Sequence, residues 1–253
     1  MDKELVSVGI SFYNSESTIS RCIESVLSQS YDYFELILIN DGSTDRSNEI
    51  VLPYLEDPRI RYISDGLNKG VAFRHNQISE LSVGKYIAKL DSDDFMIVDR
   101  LKIQYEFMES NNDIDLISSY AFITNQSGQI RSRKLGGRVY KSTYGLLLKN
   151  NIVHSTVFAR HHFFKENKYD ERFFRCQDLE LWLRTIPIYK FDLIRKPLVY
   201  YCKENNLVKY NQSLLYLRIL IDKYRASLND FQYLYLKFLV HLKRLFSKIL
   251  YNG

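Results

Sequence analysis

"KYIAKLDSDDF", residues 85–95, runs from a short apolar-rich segment straight into three carboxylates within four positions, Asp91, Asp93 and Asp94. Like charges this close repel and raise one another's pKa unless a positive charge sits among them. A cation-dependent site at a strand end is therefore the first reading. The segments upstream say what kind of strand it is. "LVSVGISFY" (5–13) is β-branched and apolar, and "SESTISRCIESVLSQ" (15–29) then sets Ile19, Cys22, Ile23, Val26 and Leu27 on one helical face. "YFELILIN" (33–40) is a second buried strand, leading through "DGSTD" to a helix around 45–55. "RIRYIS" (59–64) reads as a third strand, "NKGVAFRHNQISEL" (68–81) as a helix, and 85–90 as the fourth strand. This βαβαβαβ order predicts an α/β fold with a mainly parallel sheet flanked by helices. In such sheets ligands bind at the carboxyl ends of the strands, where Tyr13, Asn14, Asp41 and the Asp91–Asp94 cluster all fall.

Beyond the cluster the pattern predicts a helix over 97–111, a strand over 114–124, a helix over 140–150 and a short helix in "CQDLELWLRTIP" (176–187), stopped by Pro187. From about 210 onward it is wholly helical. The chain of 253 residues is 45% hydrophobic, enough for a substantial core. Its three cysteines, Cys22, Cys176 and Cys202, form no CxxC or Cys/His ligand pattern, which predicts a reducing compartment and no structural zinc. The opening "MDKELVSVGI" lacks a basic n-region and a long apolar stretch, and no apolar run suits a membrane span, so the expectation is cytoplasmic. Net charge is +5, but residues 1–100 carry 10 Lys/Arg against 17 Asp/Glu, and residues 101–253 carry 25 against 13. A basic C-terminal part suits a solvated face, an anionic membrane surface or a phosphorylated substrate. Nucleic acid is disfavoured, since no binding motif accompanies the charge.

No Gly-rich phosphate loop follows the first strand, because "ISFYNSEST" holds neither GxGxxG nor a Walker-type sequence. A nucleotide would instead be held by side chains, with the Tyr13 ring against the base and the Asp41 carboxylate accepting from base N–H groups. Its diphosphate would then need a metal. Magnesium or manganese binds through one or two carboxylates plus substrate phosphates, which a DxDD cluster can supply. Each residue also has a structural reading. Acidic strand-to-helix loops cap helices, Asp-Gly at 41–42 is a common turn, Asp178 could N-cap its helix, Arg74 could pair with an acid, and Trp182 suits core packing. His161 and His162 are adjacent, about 100° apart on a helix, and read as surface residues.

"VSVGISFYNSE", "LSQSYDYFELILINDGSTD", "NKGVAFRHNQISELSVGKYIAKLDSDD" and "CQDLELWLR" resemble, in order and spacing, the successive motifs of the family 2 inverting glycosyltransferases of GT-A fold. The resemblance covers roughly residues 5–202. It implies nucleotide contacts from Tyr13, Asn14, Glu16, Asp41, Arg74, Asp91 and Ser92, a divalent cation (Mn2+ or Mg2+) on Asp93 and Asp94, and Asp178 as general base. His154 and Gln177 are implied near the acceptor or diphosphate, although a structural histidine is an equal reading of His154. The chain departs from the family pattern at Ser11, where proline is common, at Asn167, a frequent glycine position, and at Gln177, which replaces a glutamate beside the base. The implied activity is metal-dependent transfer of a hexosyl-type sugar from a nucleotide diphosphate, UDP in first place, to a glycan hydroxyl. Such enzymes build bacterial lipopolysaccharide O-antigen or capsule repeats on lipid diphosphate carriers. The rival is a nucleotide-sugar-binding module without turnover.

The expected organisation is a catalytic domain over 1–205, with a nucleotide-binding half (1–95) and an acceptor half (96–205), followed by an amphipathic helical segment over 206–253. In that segment Leu234, Phe238, Leu242, Leu245 and Ile249 recur at helical spacing, beside a basic stripe of Lys237, His241, Arg244 and Lys248. Packing of the apolar stripe on the catalytic domain is one reading. Peripheral contact of 229–253 with the inner face of a membrane is the other, since aromatic and apolar side chains on a basic helix suit the lipid interface.

Overall fold

The computed structural model describes residues 3–125, 127–203 and 206–251, with the side chains of 133, 134 and 248–251 outside the description. The first half follows the predicted order: β1 (Val6–Phe12), α1 (Ile19–Leu27), β2 (Phe34–Asn40), α2 (Ser47–Val51), β3 (Ile60–Ser64), α3 (Val71–Leu81) and β4 (Tyr86–Lys89). These four strands pair in parallel in the order β3-β2-β1-β4. The near-continuous apolar run of β2 is explained by its two covered faces. Leu36 and Leu38 enter one core cluster with Ile19, Cys22, Ile23 and Val26 of α1, while Ile37 and Ile39 pack with Ile78 of α3 on the other face. Close approach of α3 requires Gly9, because a Cβ there would lie 2.2 Å from Ile78.

The second half is less regular. It comprises β5 (Phe95–Met96), α4 (Arg100–Ser110), β6 (Leu116–Thr124), β7 (Ile130–Leu135), α5 (Thr143–Leu148), β8 (Phe158–Arg160), α6 (His161–Glu166), α7 (Gln177–Thr185) and β9 (Phe191–Cys202). The sheet continues past β4 as β8-β6-β9-β5, with β7 paired to β6. Here β8 is antiparallel to both β4 and β6, while β6 and β9 run parallel. The first half thus supplies the parallel sheet that the sequence predicts, and antiparallel strands close the second.

The remaining helices, α8 (Leu207–Lys223) and α9 (Asp230–Tyr251), follow directly on β9. Leu214, Leu220, Ile221, Leu236 and Val240 join a second core cluster with Leu146 and Leu147 of α5 and Trp182 of α7. Trp182 is fully buried, edge-on to Phe191 at 5.7 Å between centroids, in keeping with core packing. The apolar stripe singled out in the sequence faces the other way. Leu234, Phe238 and Leu245 are 64%, 54% and 58% exposed, so the reading in which that stripe packs on the catalytic domain is corrected. The helix is apolar on two sides, and Leu236 and Val240 take the inward one. The expected members Ile249 and Lys248 lie outside the described side chains. Among the described residues no helix is long and apolar enough to cross a membrane.

Candidate functional site

The loops after β1 and β2 are stitched together. Asn14 accepts from the Thr44 amide at 2.8 Å and donates its own amide to Ser43 Oγ, Ser15 donates its amide to Ser47 Oγ at 2.7 Å, and Glu16 accepts from the Arg46 amide. Asn14 holds φ 50° to do this, a left-handed conformation that Asn tolerates better than most residues. Tyr13 beside it is left 48% exposed, free to offer its ring.

Asp41, at the carboxyl end of β2, is buried to 5% exposure and accepts the backbone N–H groups of Lys69 (2.8 Å) and Gly70 (3.0 Å). Gly42 makes the close turn possible, since it has φ +73° and a Cβ there would sit 2.8 Å from the Asn68 nitrogen. Arg74 is fully buried behind Asp41. Its Nε donates to Asp41 (2.7 Å), its Nη1 to Asp65 (3.1 Å) and Gln77 (2.9 Å), and its Nη2 to Asp65 (2.6 Å) and the Leu67 carbonyl (2.6 Å). All five guanidinium N–H groups are thereby used. Arg74 thus braces Asp41 and the 65–70 loop.

The carboxylate cluster divides. Asp91, Ser92 and Asp93 are partly exposed, and Ser92 Oγ meets Ser15 Oγ at 2.9 Å, tying the turn to the β1 loop. Asp94 is 1% exposed; one of its oxygens accepts the Cys202 amide of β9 at 2.7 Å and the other is buried without a partner. Burial first, and the charges of Asp93 and Asp91 next, raise its pKa well above the carboxylate range. Its carboxyl anchors β9 from inside the turn, while Asp93 and Asp91 stand at the accessible face.

Asp91 accepts from His154 Nδ1 at 3.0 Å, and His154 Nε2 meets the Tyr169 hydroxyl at 3.0 Å. An ionised carboxylate only accepts, so Nδ1 carries a proton, and the His154 and Ser155 contacts hold Asp91 below the usual carboxylate pKa against its burial. His75 packs against this pair, its ring 4.7 Å from His154 and 5.2 Å from Tyr169. Neither of its ring nitrogens has a partner, and burial, then the charges of His154 and Lys89, keep its pKa well below normal. Donor atoms of His75, Asp91 and His154 lie within 4.8 Å of one another, a set able to hold a cation together with the open carboxylates. Lys89, completely buried below them, faces the Phe164 ring at 4.4 Å, and its pKa is brought down to about 7 by burial. Sequence reasoning missed His75, Lys89 and Tyr169. One signal for His75 is visible: it neighbours Arg74 on a helix, so when one turns away from the strand ends the other turns towards a different face.

Asp178 lies in the first turn of α7, after Cys176, the second non-glycine residue with positive φ (57°). The two left-handed non-glycine residues described thus both stand at the rim of this site, as strained backbone commonly does. Asn150 Nδ2 approaches Asp178 Oδ2 at 3.4 Å. Burial raises the Asp178 pKa, opposed by the charge of His154. Gln177, partly exposed, opens the same helix. The arrangement offers an accessible carboxylate edge for a cation, a buried carboxylate for base N–H groups, and a separate carboxylate with raised basicity.

The family model described as "Glycosyl transferase family 2" matches residues 7–171. An uncharacterized glycosyltransferase of Methanocaldococcus jannaschii is 33% identical over 225 residues, covering 85% of this chain and 78% of that protein. The UDP-Glc:alpha-D-GlcNAc-diphosphoundecaprenol beta-1,3-glucosyltransferase WfgD of Escherichia coli is 32% identical over 233 residues, covering 92% and 83%. Among solved structures, the mannosyltransferase PcManGT of Pyrobaculum calidifontis, in complex with GDP-Man and Mn2+, aligns with TM-score 0.70 at 12% identity over 98% of this chain and 72% of that one. TarS of S. aureus, in complex with UDP-GlcNAc, aligns with TM-score 0.64 at 18% identity over 96% and 72%. The predicted strand order, its strand-end carboxylates and these matches agree, and the chain belongs to the family 2 glycosyltransferases, on a GT-A fold.

Proposed function

We propose that the chain is an inverting, divalent-cation-dependent hexosyltransferase that moves a sugar from a UDP donor to a hydroxyl of a glycan carried on a lipid diphosphate. The setting is bacterial surface polysaccharide synthesis, O-antigen or capsule, at the cytoplasmic face of the membrane, with peripheral contact through 229–253. The Escherichia coli relative, whose name gives a UDP-sugar and a diphosphoundecaprenol-linked acceptor, supports the donor and acceptor classes. The observation that carries the mechanism is the separation of labour among carboxylates. Asp41 is held rigidly by two backbone amides and Arg74, ready to accept from the base, with Tyr13 offered as its wall. Asn14, Glu16, Asp91 and Ser92 frame the ribose side. Asp93, with Asp91, would hold the cation, which when bound neutralises charge on the departing diphosphate. Asp178 takes the proton of the attacking hydroxyl, and its raised pKa suits a base. One base on the face opposite the leaving group gives a single displacement and an inverted anomeric centre. Residues 1–95 form the donor half and 96–205 the acceptor half in this reading.

The test is transfer from a panel of UDP, dTDP and GDP sugars with manganese present. EDTA is expected to abolish transfer and added Mn2+ or Mg2+ to restore it, and Asp93→Ala to lose it at any metal concentration. Full activity in excess EDTA, or an active Asp93→Ala enzyme, would overturn the cation role.

A further inference from the structure

Helix α9 buries Leu236 and Val240 and turns Phe231, Leu234, Phe238 and Leu245 to solvent on the opposite side. A helix apolar on both sides is ordinarily covered on both. Val208, Leu215 and Ile219 of α8 are 67%, 56% and 43% exposed, and at helical spacing they share one stripe. Between the two helices runs a groove of about 980 Å³, with Leu215 and Leu245 on its walls and Arg218, His241 and Arg244 on its rim. Residues 206–251 carry eight Lys or Arg against two Asp. Lys237 is paired with Asp222 and Arg225 with Asp230, whereas Arg218 and Arg244 are exposed and have no ion-pair partner among the described residues.

We infer that this face of α8 and α9 docks in the plane of an anionic phospholipid bilayer, its apolar stripes entering the interface while Arg218 and Arg244 meet lipid phosphates. The inference deepens the membrane contact of the proposed function and rests on that reading. Charge decides between bilayer and a second copy of the chain. Two-fold pairing of this face would bring the Arg218 and Arg244 cations of each copy to one interface, whereas an anionic surface complements them. The surface also reaches the candidate base. Gln212, which lines the groove, accepts from Arg175 Nε at 3.5 Å, and the Cys176 thiol lies 3.5 Å from the Ser213 carbonyl. Asp178 is two residues further along. A glycan rising from a lipid carrier beside the docked helices would therefore arrive at the α7 N-terminus.

The experiment is flotation of the full chain with vesicles of phosphatidylcholine alone and of phosphatidylcholine mixed with phosphatidylglycerol. Binding is expected to the mixed vesicles at low salt, to weaken in high salt, and to persist in excess inorganic phosphate. A Leu234→Glu, Phe238→Glu, Leu245→Glu triple variant is expected to lose it at least about tenfold, as is an Arg218→Glu, Arg244→Glu double variant. UDP-dependent thermal stabilisation with Mn2+ is expected unchanged in both, since none of these residues touches the donor site. If the triple variant fails to fold, the charge-reversed pair and the salt dependence decide. A full chain that ignores mixed vesicles, variants that float as well as the parent, or a dimer that the triple variant breaks would each overturn the docking. Loss of UDP stabilisation in the parent would instead overturn the donor reading and leave the docking result standing.

Discussion

Asp178 concentrates the residue-scale chemistry. Its partly buried carboxyl carries a raised pKa, and as the proposed general base it works only when deprotonated, so transfer is expected to fall as pH drops through that raised value. The acid limb of the rate profile should lie above the pKa of a solvent-exposed aspartate. Asp178→Asn should lose roughly 10²- to 10⁴-fold in turnover, the usual worth of a general base, flatten the limb and keep UDP affinity. A variant that lost affinity but kept turnover at saturation would reverse the assignment. The places of Asp41, Asp93 and Asp178 in the fold were legible because each stands at the end of a readable strand or the start of a readable helix. Lys89 was not. Its burial depends on Phe164 and Tyr169, some eighty residues away in sequence, whose rings cover the ammonium. The inward turn of Asp94 was hidden for a related reason, since the β9 amide that holds it belongs to Cys202.

Between elements, Arg74 joins the end of β2 to the loop that starts α3. Replacing it with Leu leaves the Leu67 carbonyl without its donor, Asp41 without one of three, and Asp65 with only Lys69 and the Leu67 amide. Breaking a buried pair in this way costs about 3 kcal/mol or more. Arg74→Leu should therefore lower the melting temperature and weaken UDP binding, with turnover at saturating donor much less affected. Arg74→Lys should rescue little, because an ammonium cannot span the fork that meets Asp41, Asp65 and Gln77 together. Thermal unfolding and UDP titration of both variants check this; a normal UDP affinity in Arg74→Leu would refute the bracing role. The strands of the first half were legible from their apolar runs, but β9 was not. Asp192, Arg195, Lys196 and Pro197 interrupt "FDLIRKPLVYYC", and its pairing with β6 slips on either side of Tyr120, where the irregularity absorbs the charged residues. The short β8 was hidden by length, three residues whose strand state comes from its neighbours β4 and β6.

At the scale of the whole molecule, α9 answers a question that periodicity alone leaves open. A 3.6-residue repeat identifies a stripe, but when a helix is apolar on two sides it does not say which side the protein keeps. The inner side belongs to the core. Leu236 and Val240 share a cluster with Leu146 and Leu147 of α5, and Tyr216 of α8 packs on Phe173 at 5.8 Å. Removing residues 206–253 would uncover Leu146, Leu147 and Phe173, at about 1.5–3 kcal/mol for each large side chain. The sum, of order 5–9 kcal/mol, rivals the entire stability of a typical domain. The truncated chain is therefore expected to aggregate or to melt far below the full chain, and the Glu substitutions on the outward stripe are expected to leave the melting temperature nearly unchanged. Differential scanning calorimetry of the three proteins separates the two sides of the helix. A truncated chain that unfolds cooperatively near the parent temperature would show that the segment is an independent appendage, whose hold on the acceptor half is too weak to matter.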